Sequence, residues 1–228
     1  PEPFELVMSG SDLDQAFLTV YGDGNSAEVT DEDGFTYDVT PAFAVRFDDY
    51  SALVSKLQNR EDAHAATGHL AAHYIKDGQV IGTWSNLGAG GGFGKAPDYS
   101  LRTGFLNYPT MMVHGDYMGQ GQMLVWQTLI EITPDGPLTR AEITTLDDTT
   151  GAVYGDLKPC VLEGKIKPSR TGADSFLVDY KFTSEIKGED HLVTYTLDPE
   201  SGAYVPDFEY GPEICANLMF DALEAGAE

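Results

Sequence analysis

Histidine is the residue type in this chain best suited to hold a metal ion or move a proton near neutral pH. There are five: His64, His69, His73, His114 and His191. Three of them fall in the run His64-Ala-Ala-Thr-Gly-His69-Leu-Ala-Ala-His73. On a helix, His69 and His73 stand one turn apart and can share an ion. On a strand they share a face but lie about 13 Å apart, from four steps of roughly 3.3 Å. Zinc–nitrogen bonds of about 2 Å cannot span that gap. Ala71–Ile75 and Val80–Trp84 alternate on either side of Lys76-Asp77-Gly78-Gln79, a hairpin pattern. That places His73 on a strand, whereas Ala63, Ala65 and Ala66 favour a helix around His64. The expectation is ordinary half-buried histidines. The rival is a divalent ion, zinc, held by His69, His73 and His114 in a metal-dependent hydrolase. The His-Glu-x-x-His pattern of a zinc protease is absent.

Two glycine-containing segments offer a different kind of site. Asn86–Gly94 is too rich in glycine for regular structure, and it makes a long loop or a lid with Phe93 at its tip. It fails as a phosphate loop, because Ala89 and Ala96 occupy the first glycine and the hydroxyl positions around Gly94-Lys95. Gly115–Gly121 joins two apolar strands and gathers Asp116, Tyr117 and Gln120 beside His114. Loops carry function more often than the elements they connect, so Phe93, Asp116, Tyr117 and Gln120 form a candidate loop site. Its bland counterpart is a bulged hairpin. The acidic turns Asp31-Glu32-Asp33, Asp147-Asp148 and Asp198-Pro-Glu200 suggest weak calcium binding, but none follows the EF-hand order. Solvated turns are the plainer expectation. No Gly-x-Ser-x-Gly elbow is present.

Charge narrows the partners. Lys plus Arg is 13 and Asp plus Glu is 37, a net charge of −24 spread along the chain. Nucleic acid and anionic membrane surfaces require a basic footprint and are excluded. A basic protein, a cation or a small-molecule ligand remains. The same charge suits a solvated, salt-tolerant surface. No segment reaches the roughly 18 apolar residues of a membrane span, so the chain is not an integral membrane protein of the helical kind. The two cysteines, Cys160 and Cys215, suggest one disulfide. With Pro1 in place of a start methionine, the pair leads to the expectation of an exported protein, periplasmic or extracellular.

The elements that must position these residues are mostly strands. Strand patterns cover Phe17–Tyr21, Ala27–Thr30, Phe35–Val39, Phe43–Phe47, Thr110–Val113, Gln122–Ile132, Thr139–Leu146, Val161–Ile166, Phe176–Phe182 and Leu192–Leu197. A short helix is expected from Asp48 or Asp49 to about Gln58–Arg60, on the spacing of Tyr50, Leu53, Val54 and Leu57. A second is expected from Pro212 to about Ala225, with Ile214, Leu218 and Leu223 on one side. Ten or more strands without βαβ alternation predict a single mainly-β domain over residues 1–228, an antiparallel sandwich or open barrel with two short helices. The alternative is a propeller-like arrangement, although no 40–50-residue repeat supports it. The function expected from all of this is non-enzymatic binding of a ligand or partner. The rivals are the histidine metallohydrolase and a self-assembling structural protein.

Overall fold

The computed structural model describes residues 4–61, 66–88, 93–119, 121–151, 159–168, 174–184 and 188–208. Among the described residues there are fourteen strands and one helix. The first sheet contains β1 (Glu5–Val7), β2 (Ala27–Thr30), β3 (Thr36–Arg46), β4 (Ser51–Asn59), β5 (His69–Lys76) and β6 (Gln79–Trp84). Its order is β1-β3-β4-β5-β6, with β2 paired to β3. The second is an eight-stranded meander. It comprises β7 (Tyr99–Arg102), β8 (Thr110–Gly119), β9 (Gln122–Thr133), β10 (Gly136–Asp148), β11 (Cys160–Pro168), β12 (Ser175–Ser184), β13 (Gly188–Leu197) and β14 (Tyr204–Pro206). The fold is thus mainly antiparallel β, as a sandwich or open barrel requires. Sheets of six and eight strands differ from the four-stranded blades of a propeller. The C-terminal helix expected at about 212–225 lies outside the described residues, as does His64.

Local structure departs from the sequence expectation in three places. The segment Phe17–Tyr21, expected as a strand, is the second half of helix α1 (Ser11–Tyr21). Leu13, Ala16, Phe17, Val20 and Tyr21 recur at helical spacing and line its inner side. Asp12 and Asp14 lie in the first turn, where the helix dipole favours negative charge. Gly22 ends it at φ 76°, a left-handed cap that suits glycine. The helix expected over residues 48–60 is instead β4. Ala52, Leu53, Val54, Ser55 and Leu57 are all buried, because β4 lies between β3 and β5 and both of its faces are covered. Burial on two faces erases the polar alternation that marks a half-exposed strand, and the remaining apolar spacing mimics a helix. Thirdly, the Gly115–Gly121 connection is mostly strand. β8 continues to Gly119 and β9 begins at Gln122, and Gly121 adopts φ 82°.

The chain groups into two compact units. The first comprises Pro1–Gly115 and Thr128–Thr139. One face of its sheet packs Val39, Leu53, Leu57, Ala71 and Ile75 against Leu13 and Phe17 of α1. The other face packs Phe43, Val45, Val54, Leu70 and Tyr74 with Met111, Val113, Ile130 and Ile132. The second unit comprises Asp116–Gln127 and Arg140–Glu228. There β11, β12 and β13 bury Leu162, Phe176, Val178, Tyr180, Phe182, Val193 and Tyr195 on one face. The intervening residues point to the opposite face, and Glu163, Lys165, Asp179, Lys181 and Asp190 among them carry charge.

Candidate functional site

In the first unit, His69 and His73 both lie on β5 and share its helix-facing side with Ala71 and Ile75. Each ring meets its own tyrosine edge-on. His69 lies 5.0 Å from Tyr37, and His73 lies 5.3 Å from Tyr21, centroid to centroid. Burial holds both imidazoles below the ordinary histidine range, and Asp31 partly opposes this at His69. His114 belongs to β8, where its backbone N–H donates to the Asp98 carbonyl. Among the described residues no group of three His, Cys, Asp or Glu side chains is placed to hold one metal ion.

The candidate loop residues fall on different parts of the fold. Phe93, in the first unit, is 51% exposed and adopts φ 63°. Asp116 and Tyr117, in the second unit, lie on β8, and Tyr117 is 50% exposed. Gln120 lies outside the described residues. In the acidic turns, Asp31, Asp148 and Asp198 direct carboxylate oxygens onto nearby backbone amides. Asp31 Oδ1 accepts from the amides of Asp33 and Phe35. Asp198 accepts from Glu200 N–H, Ser201 N–H and the Ser201 hydroxyl, bonds that favour the ionised form and lower its pKa. Cys160 opens β11 and is 1% exposed. Cys215, and with it the expected disulfide, lies outside the described residues.

A concavity lies in the second unit. It has a volume of about 690 Å³ and is lined by Val125, Thr145, Leu146, Glu163, Gly164, Lys165, Asp179, Lys181 and Asp190. The register of β11, β12 and β13 explains its charge pattern. Lys181 stands opposite Glu163 on one side and Asp190 on the other. Lys165 stands opposite Asp179, which also forms an ion pair with Lys167. The side chains of that pair are 45% and 43% exposed, so it contributes at most about 1 kcal/mol. Positive and negative groups thus alternate across neighbouring strands, beside the apolar side chains of Val125 and Leu146. Gly164, opposite Tyr180, has no room for a side chain. A Cβ there would stand 2.7 Å from the Tyr180 ring and 2.9 Å from the Thr144 carbonyl. The glycine therefore lets Tyr180 pack tightly against β11.

Beside β11, Asp147 is 1% exposed. Gln122 donates to its Oδ1 at 2.8 Å, while Oδ2 has no hydrogen-bond partner. Burial raises its pKa, and the neighbouring Asp148 adds to the effect.

Sequence reasoning overlooked the trough entirely. The signal available was the clustering of Lys165, Lys167 and Lys181 between acids in a chain with only 13 basic residues. The cross-strand pairing that brings these charges together depends on register, which the sequence does not state. No known family model matches the chain, and neither a curated protein nor a solved structure matches it.

Proposed function

We propose that the protein is a non-enzymatic binding module whose second unit takes a small ligand carrying both charges on an apolar body. The observation that carries this reading is the open trough of about 690 Å³ with its alternating Glu163, Lys165, Asp179, Lys181 and Asp190. Its volume falls within the range of ordinary ligand sites, roughly 300–1,000 Å³. A dipolar ligand matches the pattern, because each of its ends finds an opposite charge one strand away. A ligand of single charge meets like charge next to every favourable contact. The strongly negative surface then adds long-range attraction for the cationic end.

Isothermal calorimetry with free lysine, glutamate, glycine betaine and γ-aminobutyrate tests the reading. Binding of at least one zwitterion, weakened tenfold or more in Lys165→Glu/Lys181→Glu, supports it. Equal binding to the wild-type and doubly reversed proteins rejects it. We further propose that the chain is exported and that Cys160 pairs with Cys215. The support is the burial of Cys160, and among the described residues no cysteine is free. Mass analysis without reductant should show two hydrogens fewer than after reduction. Among the described residues no helix is long and apolar enough to cross a membrane.

A further inference from the structure

The helix-facing side of the first sheet carries three buried polar atoms without a hydrogen-bond partner: Tyr21 Oη, Ser55 Oγ and His73 Nδ1. They come together for reasons of register. On β4 and β5, Ser55 stands opposite Ala71 and Leu53 stands opposite His73, so Ser55 and His73 are diagonal neighbours on one face. Tyr21, the last residue of α1, sets its ring edge-on to His73 at 5.3 Å. Burial raises the pKa of its hydroxyl, and the neighbouring Ser55 partly opposes that shift. The two hydroxyls nevertheless do not meet hydrogen-bond geometry.

Ser55 is 0% exposed, so bulk solvent does not reach its hydroxyl. Native proteins seldom leave such groups unpaired, because each has lost its hydrogen bonds to water on burial. An internal water typically makes two to four hydrogen bonds to polar groups of this kind.

We propose that this cluster is a specific site for a single internal water, which ties the C-terminal end of α1 to β4 and β5. The water accepts from the Tyr21 and Ser55 hydroxyls and donates to His73 Nδ1, which satisfies all three atoms. The donation requires the neutral His73 tautomer with its proton on Nε2. The helix is thereby held at a chosen position by a directional contact, in addition to the non-directional packing of Leu13 and Phe17.

A high-resolution crystal structure, with nitrogen-15 NMR of the histidine rings, tests this directly. The expected result is one fully occupied water within hydrogen-bond distance of all three atoms, with His73 protonated on Nε2. In Ser55→Val the added methyl groups should expel the water and leave the sheet intact. Should that variant fail to fold, Tyr21→Phe removes one hydroxyl only, and amide exchange in the last turn of α1 should quicken at least tenfold. Direct bonding among the three groups, His73 protonated on Nδ1, or unchanged α1 exchange in Tyr21→Phe would each overturn the proposal.

Discussion

Lowering the pH through the histidine range should cost this fold stability, and the size of the effect follows from two buried rings. His69 and His73 lie against Tyr37 and Tyr21 on the helix-facing side of β5, and burial depresses both pKa values. In the unfolded chain each histidine titrates near 6.5. The unfolded state therefore takes up protons first. The stabilisation is complete above about pH 6.5 and is lost as pH falls from there towards the folded-state values. One histidine protonated only when unfolded gives a slope of about 1.4 kcal/mol per pH unit, so the pair gives at most about 2.7. Asp147 acts with the opposite sign. Its folded pKa is raised, so its contribution is complete below the unfolded carboxylate value and is lost as pH rises through the folded one. The histidine window is cleanest above about pH 5, where an ordinary Asp, with a pKa near 3.9, is already ionised. Urea unfolding followed by tryptophan fluorescence at high salt, stepped from about pH 8 to pH 5, measures the slope. In His69→Gln/His73→Gln the profile should flatten over that window, even though the lost ring packing lowers stability at pH 8. A double variant with the same slope as wild type would refute the argument, because the protons would then be going elsewhere.

Three other outcomes follow from the geometry. Gly164→Ala should destabilise the protein by about 1–3 kcal/mol, since the new methyl group meets both the Tyr180 ring and the Thr144 carbonyl; the urea midpoint measures it. Asp147→Asn should stabilise the fold at pH 7 by roughly 1 kcal/mol and progressively less towards pH 4, because it replaces a buried carboxylate by a neutral group of the same shape. A loss of stability at pH 7 would show that Oδ2 has an ionic partner in solution. Gly22→Ala should lower the melting temperature through about 1 kcal/mol of strain at φ 76°; an unchanged melting temperature would mean that the cap rearranges without cost.

The antiparallel strand content was legible in the sequence because most strands here are covered on one face and alternate accordingly. β12 is the clearest case, with Phe176, Val178, Tyr180 and Phe182 inward and Asp179 and Lys181 outward. Legibility failed where that condition failed. β4 is covered on both faces and therefore loses its alternation, while in α1 the Thr19-Val20 pair masks the inward spacing of Leu13 and Phe17. The distance argument on His69 and His73 needed only the strand rise and a correct assignment of β5. The trough and the orphan cluster needed register. Ser55 gains meaning only when it is known to stand opposite Ala71 and diagonal to His73, and Lys181 only when Glu163 and Asp190 flank it. A serine inside the otherwise apolar run Ala52–Leu57, apart from Lys56, was the one local hint of a buried polar site.

The most direct test of the central claim is a two-dimensional amide NMR titration of the whole protein with the zwitterion that binds tightest. The account predicts saturable shifts concentrated at Glu163–Lys165, Asp179–Lys181 and Asp190, and absent at those positions in Lys165→Glu/Lys181→Glu. Saturable shifts confined to other residues, or none with any of the four zwitterions at millimolar concentration, would contradict it.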